Sequence, residues 1–291
     1  MVGGVLPLLR LAAPEGEFDI SEMILHHLAD SPEWETPFGV VHLPELHLGP
    51  VDLSITKHVL FMMIAAVLVA VLLITAARAA RRERARGAER GPRGAANVVE
   101  ALVLYLRDEV ALKNIGHGGE RYVPYIVSVF FFILFCNLLG LLPWGASPTG
   151  NISVTATLAI ITFLVVEFAG VRELGPVGYA RTIFYVPPGL PFLMKPIMLA
   201  IMTPVEFLGK LAKPFALAIR LYANMTAGHA VVLALTGLIV LSGIGGVLYV
   251  GLAPLVMAIA IMVLEIFVAL LQAYIFAMLS SVFIGLIRHA H

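Results

Sequence analysis

The chain has 291 residues, of which 60% are hydrophobic and 13% are charged, and its mean hydropathy is +0.95. Charged residues make up about a quarter of an ordinary soluble domain, so this composition predicts an integral membrane protein. The 19 Lys and Arg residues balance the 19 Asp and Glu residues, which argues against a nucleic-acid partner, and a single cysteine excludes an internal disulfide and a cysteine-based metal cluster.

Apolar runs of bilayer length predict an all-α integral membrane protein with about five membrane helices and one amphipathic surface helix. The chain ends in two apolar stretches, each about twice as long as a bilayer core is thick. We therefore expect a hairpin of two strongly tilted helices, joined near Gly243, Gly245 and Gly246. In chain order, the predicted segments are an acidic N-terminal tail at 1–57, a membrane helix at 58–78, a basic linker with an amphipathic helix at 79–121, two membrane helices at 122–171, a loop at 172–195, and the long helical hairpin at 196–291.

The placement of basic residues predicts the orientation of these segments. Lys and Arg residues are concentrated in the connections at 78–121 and 172–195, whereas 145–151 and 242–246 carry none. Because basic connections remain in the cytoplasm, the N-terminal tail is predicted to lie outside and the C-terminus inside. The amphipathic stretch Asn97–Lys113 is then predicted to lie on the cytoplasmic surface.

A few polar residues interrupt the two long apolar stretches. Arg220 keeps its charge and is costly inside a membrane, so it is a candidate functional residue. Folding the hairpin at its glycines brings Arg220 level with Gln272, and His229 level with Glu265. His229 lies about 13 Å along the helix from Arg220 toward the outside, and Glu206 lies about 21 Å toward the cytoplasm. This layout predicts two proton-accessible pockets that are separated by a fixed positive charge and connected by an external carrier.

Simpler interpretations of the polar residues stay open. Glu206 could form an ordinary helix pair with Lys210, which is four residues further on. Glu167 lies near the cytoplasmic end of its apolar run, where an interfacial role is as plausible as a functional one. Asn137 and Gln272 could each form a hydrogen bond that packs helices together.

The stretches Thr203–His229 and Ala269–Leu286 resemble subunit a of the F-type rotary ATP synthase. The resemblance rests on a Lys-Pro step, an Ile-Arg-Leu triplet, the Asn after it and an Ala-Gly pair. It implies that Arg220 faces a rotating ring of c subunits, releases the proton of each arriving carboxyl group and blocks leakage between two half-channels. It also implies that Asn224 and Gln272 give polar support, and that Glu206 belongs to the cytoplasmic half-channel.

One departure concerns the outer half-channel. The best-known bacterial pattern has Glu where this chain has His229, and His where this chain has Glu265. The exchange keeps one acid and one imidazole in the same pocket, so we expect the pair to act as a relay. Asn137 lies near a position where some members carry an aspartate, and its role stays open. The resemblance further implies the c-ring, the peripheral-stalk subunit b and membrane lipids as partners, a bacterial inner membrane as the location, and neither a cofactor nor a metal ion.

Two other function classes compete with this expectation. A self-contained secondary transporter would need its own alternating-access machinery, which often appears as internal repeats, and the sequence has none that we detect. An intramembrane enzyme would need a nucleophile with a base, or a set of metal ligands. The sequence offers no plausible set of this kind, because His229 is the one histidine deep in a predicted span. ATP chemistry is expected to belong to other subunits, because the chain has no phosphate-binding Gly-rich loop.

Overall fold

The fold comes from a computed structural model of the chain. It describes residues 29–36, 39–44, 47–48, 51–52, 54–85, 94–142, 144–184, 191, 194–241 and 252–288. The helices are α1 (Lys57–Ala85), α2 (Ala95–Tyr105), α3 (Val123–Gly140), α4 (Ile152–Ile183), α5 (Lys195–Leu241) and α6 (Leu252–Arg288). The strands are β1 (Glu33–Thr36), β2 (Gly39–His42), β3 (His47–Leu48) and β4 (Val51–Asp52). The predicted turn at Gly243, Gly245 and Gly246 and most of the acidic tail lie outside the described residues.

The chain is an all-α membrane protein. Five of the described helices, α1, α3, α4, α5 and α6, are long and apolar enough to cross a membrane. The prediction of about five membrane helices is therefore confirmed. The strands form two short antiparallel pairs, β1 with β2 and β3 with β4, near the N-terminus.

Two helices extend beyond the apolar runs that predict them. Helix α1 continues through the basic residues to Ala85, because Ala and Arg are good helix formers. Helix α4 continues to Ile183, so part of the expected loop at 172–195 is helical. It bends at Gly175, whose φ of 71° is accessible to glycine, and Pro176 restarts the helix after the bend.

The amphipathic segment is helical, as its sequence predicts, but it is not α-helical throughout. After α2, the chain winds into a π-helical stretch, Leu106–Leu112, and then a last α-helical turn, Lys113–Ile115. The π-helical stretch buries Leu106, Val110 and Ala111. Its polar side carries an ion pair in which Lys113 Nζ lies 2.9 Å from Glu109 Oε2. The wider helical turn therefore sets one apolar face against the protein.

The last two described helices are long and unbroken. Helix α5 has 47 residues and α6 has 37, which correspond to about 70 Å and about 55 Å at 1.5 Å per residue. Pro204 and Pro214 lie inside α5 without ending it. Both helices exceed the roughly 30 Å of a hydrocarbon core, as their sequences predict.

The helices contribute to two compact units, each with its own core. The first consists of Met1–Val69, Phe132–Asn151 and Leu221–Gln272, and the second of Ala70–Phe131, Ile152–Arg220 and Ala273–His291. Fully buried residues of the first unit include Ile133, Asn137, Thr149 and Leu221. Those of the second include Leu106, Ile126, Phe130, Phe276 and Ile284.

The N-terminal segment is fastened to the first unit by aromatic and polar contacts. Trp34 on β1 donates a hydrogen bond from Nε1 to the carbonyl oxygen of Trp144 at 2.8 Å, and its ring meets Phe61 edge-on. Asp30 lies 2.7 Å from His58 Nδ1 and accepts a hydrogen bond from Asn151 Nδ2 at 3.0 Å. The carboxylate thus ties the segment before β1 to the start of α1 and to Asn151, the last residue of the loop after α3.

We expect Asp30→Asn to loosen this segment, because the substitution removes the charge that His58 and Asn151 share. A hydrogen bond to a charged group contributes on the order of 1.5–3 kcal/mol, so amide exchange across 33–42 should accelerate roughly tenfold or more. Hydrogen–deuterium exchange with mass spectrometry measures this. Glu33→Gln is the control, because Glu33 forms a largely exposed pair with His42. Equal exchange in the two variants would contradict the anchoring role of Asp30.

The same contact predicts a dependence on pH. Burial raises the pKa of Asp30, but the hydrogen bond and charge of His58, together with a hydrogen bond from Thr56, lower this pKa below its ordinary value of 3.8. A carboxyl group whose pKa is lower in the folded protein than in the unfolded chain stabilises the fold at pH values above the unfolded-state pKa. This stabilisation is lost as the pH falls through the folded-state pKa. Protection of 33–42 should therefore decrease at pH values below about 3.8 in the wild type and change less in Asp30→Asn.

Candidate functional site

Helices α5 and α6 bring together the histidine and the glutamate that the sequence predicts to lie level. His229 Nδ1 is 3.3 Å from Glu265 Oε1, and 19% of the His229 side chain and 10% of the Glu265 side chain are exposed. A buried carboxylate needs a partner, and the imidazole is placed to be that partner. We call His229, Glu265 and the backbone groups around them the His–Glu cluster.

Backbone carbonyl groups hold the His229 ring from both sides. Nδ1 lies 3.0 Å from the carbonyl oxygen of Met225, and Nε2 lies 2.9 Å from that of Gly140. A carbonyl oxygen can only accept, so two such partners suit an imidazole with a proton on each nitrogen, whose charge Glu265 balances. Glu265 Oε1 is buried and has no hydrogen bond in the part of the chain that is described.

Two glycines make room for the His–Glu cluster. A methyl group on Gly228 would overlap Glu265 Oε1. A methyl group on Gly140 would overlap Ser147 and lie 3.0 Å from His229 Nε2. The glycine directly before His229 is therefore a packing requirement of the cluster.

A second polar network lies around Asn137 on α3. Asn137 is fully buried, its Nδ2 donates to the carbonyl oxygen of Ala269 at 3.4 Å, and its Oδ1 accepts from Thr149 Oγ1 at 2.6 Å. Thr149 Oγ1 in turn lies 2.8 Å from Ser147 Oγ. We call Asn137, Ser147 and Thr149 the Asn137 network. The sequence analysis considered Asn137 and missed the two hydroxyl groups.

Asn224 and Gln272 form a polar bridge between α5 and α6. Asn224 Nδ2 donates to Gln272 Oε1 at 3.2 Å, and Gln272 is 3% exposed whereas Asn224 is exposed. The described partner of Gln272 is thus Asn224, which lies one helical turn after Arg220 on α5. A direct contact between Gln272 and Arg220 stays a prediction.

Arg220 lies exposed on α5. Within the described residues of its own unit, it forms no hydrogen bond and no ion pair. A guanidinium group carries five N–H donors and a permanent charge, so an apolar surrounding would be very unfavourable for it.

A cavity of about 220 Å³ in the second unit is lined by four charged residues, Glu167, Glu206, Lys210 and Lys213, among apolar ones. Lys210 Nζ donates to Tyr179 Oη at 3.2 Å, and it lies 3.7 Å from Glu167 Oε2. The sequence suggested Glu206 as the partner of Lys210, but the described ion pair is with Glu167 on α4. Glu206 therefore lines the cavity without being the carboxylate that holds this lysine.

These features define a class of protein. A multi-pass helical membrane protein with a buried His–Glu pair, an exposed intramembrane arginine and a charged cavity moves ions through polar groups inside the bilayer. Among the described residues, no group of three or more His, Cys, Asp or Glu side chains is placed to hold a metal ion.

Comparison with known proteins identifies the family. The ATP synthase A chain family matches residues 59–285. The chain is 46% identical to ATP synthase subunit a of Chloroherpeton thalassium, with 90% of this chain and 75% of that protein covered. It is 44% identical to ATP synthase subunit a 2 of Chlorobaculum tepidum (94% and 75% covered) and 43% identical to ATP synthase subunit a of Anaeromyxobacter dehalogenans (96% and 74% covered). The chain belongs to the ATP synthase A chain family, the membrane subunits of the proton-translocating ATP synthase that have no nucleotide site of their own.

We expect Gly228→Ala to impair proton transport by displacing the Glu265 carboxylate. Gly209→Ala on the same helix is the matched control, because nothing lies within 4 Å of a methyl group there. In the assembled ATP synthase, ATP-driven proton pumping should fall roughly tenfold or more in Gly228→Ala, since a displacement of about 1 Å can cost two orders of magnitude in rate. Pumping should stay near the wild-type rate in Gly209→Ala. Equal pumping by both variants would show that the position of Glu265 is unimportant.

Proposed function

We propose that this chain is the stator subunit that offers two proton half-channels to a ring of c subunits, with Arg220 as the separator between them. The observation that carries the proposal is the exposed guanidinium group of Arg220 on an apolar helix, for which the described residues of its unit provide no partner. A charge at mid-membrane costs from a few to more than ten kcal/mol. A carboxylate on a neighbouring chain would remove that cost, which supports a partner for Arg220 on another subunit.

The helix around Arg220 suits a close partner. Ala216, Ala223 and Ala227 are exposed, and their helical spacing relative to Arg220 puts them on the same side of α5. Small side chains allow another helix to approach closely within a membrane. A ring of helices that each carry a carboxylate could therefore pass this face and exchange a proton beside Arg220.

The His–Glu cluster supports the outer half-channel. His229 and Glu265 form a titratable pair inside apolar helices, and one Glu265 oxygen has no described hydrogen bond. An imidazole and a carboxylate in contact can pass a proton between them. On this proposal, protons enter past Asn137, move through the pair and load the c-ring carboxylate.

The charged cavity supports the inner half-channel. Glu206 lines it together with Glu167 and two lysines, and such a group of charges inside apolar helices needs water or ion pairing. Protons released beside Arg220, after almost a full turn of the ring, would leave past Glu206. Running in reverse, the same route pumps protons outward.

The remaining assignments follow from this scheme. Asn224 and Gln272 would support the polar lining near Arg220, since they already bond to each other. We propose an N-terminus outside the cell and a C-terminus in the cytoplasm of a bacterial inner membrane, because the basic connections would then be cytoplasmic. The peripheral-stalk subunit b and membrane lipids would complete the surroundings of the stator.

A self-contained secondary transporter is the competing proposal. It would hold the central charge with its own residues, whereas Arg220 has no described partner in its unit.

Purification in mild detergent separates the two proposals, because a stator subunit should co-purify with a ring of c subunits and a transporter should not.

We expect Arg220→Ala to abolish ATP-driven acidification of inverted vesicles while the complex still assembles, because the c-ring carboxyl group would lose the charge that releases its proton. Arg172→Ala is the control, since Arg172 is another exposed arginine in a membrane helix. Co-purification of the ring confirms assembly. If Arg220→Ala assembles and pumps normally, Arg220 is not the separator.

We also expect Glu206→Gln to slow proton transfer on the cytoplasmic side, because an amide cannot take up a proton at neutral pH. Pumping should fall several-fold and should depend more steeply on cytoplasmic pH than in the wild type. Glu120→Gln, an exposed glutamate outside the cavity, is the control. Identical rates and pH profiles for Glu206→Gln and the wild type would remove Glu206 from the pathway.

A further inference from the structure

We propose that the hydroxyl pair Ser147–Thr149, in the loop between α3 and α4, is a positioning element of the outer half-channel. It fixes the Asn137 amide and the backbone of Gly140, and through Gly140 it holds the His229 ring beside Glu265. The inference rests on the proposed function, in which the His–Glu cluster carries protons. Neither hydroxyl group belongs to the residues so far assigned to that pathway.

The hydrogen bonds of the Asn137 network have a defined direction. Asn137 Nδ2 faces the carbonyl oxygen of Ala269, which can only accept, so Oδ1 faces Thr149. The single hydroxyl proton of Thr149 is donated to Asn137 Oδ1 at 2.6 Å. Ser147 Oγ has two acceptors within reach, Thr149 Oγ1 at 2.8 Å and the carbonyl oxygen of Cys136 at 3.4 Å, and it donates to the nearer one because Thr149 has no second proton. Each member orients the next, from the loop to α3 and from α3 to α6.

Ser147 also fixes the geometry of the His–Glu cluster. Its Cα would lie 2.9 Å from a methyl group on Gly140, so the loop lies directly on the Gly140 backbone. The carbonyl oxygen of Gly140 accepts the His229 Nε2 hydrogen bond at 2.9 Å. A displaced loop would thus move the acceptor that holds the imidazole ring.

Burial makes this network stiff. Ser147 is 5% exposed, and Thr149 and Asn137 are fully buried. Burial limits the access of solvent to these hydrogen bonds, and an unpaired buried group would be costly, so the network favours keeping its described partners. The Asn137 amide ends the chain of hydroxyl groups and carries no titratable proton, which makes the role one of positioning rather than proton transfer.

The test compares Thr149→Val with Thr149→Ser in the complete ATP synthase reconstituted into vesicles. Valine keeps the shape of threonine and removes the hydroxyl group, whereas serine keeps the hydroxyl group. Thr157→Val is the control, because the Thr157 hydroxyl bonds within its own helix to Ser153. ATP synthesis is measured against the outer pH at a constant proton-motive force and is normalised to the amount of assembled complex.

We expect Thr149→Val to reduce the normalised rate roughly tenfold and to shift the outer-pH profile, since the lost hydrogen bond is worth about that factor. Thr149→Ser should restore both rate and profile, and Thr157→Val should change neither. A purely structural role would lower the amount of complex but leave the normalised profile unchanged, and that result would overturn the proposal.

Two further variants keep the result decisive. If Thr149→Val does not assemble, Ser147→Ala removes the outer donor and leaves the Thr149–Asn137 bond intact. A wild-type rate and profile for Ser147→Ala would then overturn the proposal. Glu265→Gln separates the two levels of the argument: if it blocks synthesis while the loop variants have no effect, only the positioning role fails. If Glu265→Gln is also without effect, the proposed outer half-channel fails.

Discussion

A charge inside a membrane must be matched by another charge or by polar groups, and the arrangement of this protein follows from that constraint. Buried ionic groups in each unit have partners close at hand: Glu265 lies against His229, and Lys210 against Glu167. Near the end of α6, Arg288 donates to Glu173 at 2.8 Å. Arg220 differs, because it is exposed and has no partner in the described part of its unit. On the proposed function, this is the physical reason to look for its counter-charge on a neighbouring subunit.

The sequence predicts the large features well, because the bilayer dictates them. A spanning helix must be apolar over its whole length, so the runs of apolar residues mark the five long helices. The proximity of His229 and Glu265 is also predictable, since two antiparallel helices with the same rise per residue keep a fixed register. The two residues lie at equal distances along the chain from residue 247, directly after the predicted turn. The glycine turn itself lies outside the described residues.

Features that depend on distant contacts are less accessible. Helical spacing suggests Glu206 as the partner of Lys210, but Glu167 reaches that lysine from another helix. Apolar patterning alone gives no sign that a short loop turns back and sets Thr149 beside Asn137. The continuation of α4 past Gly175 is hidden for a different reason. A glycine and a proline together signal a helix end, but a single positive φ at Gly175 bends the chain and lets the helix resume.

The His–Glu cluster combines an imidazole ring that backbone groups hold in place with a carboxylate that contacts it from α6. The His229 ring donates its hydrogen bonds to two backbone carbonyl groups, so its position depends little on the charge of Glu265. Glu265 has an oxygen with no described hydrogen bond. That oxygen is the one that faces His229 Nδ1 at 3.3 Å. On the proposed function, the held ring keeps the distance between the two groups constant for each proton transfer.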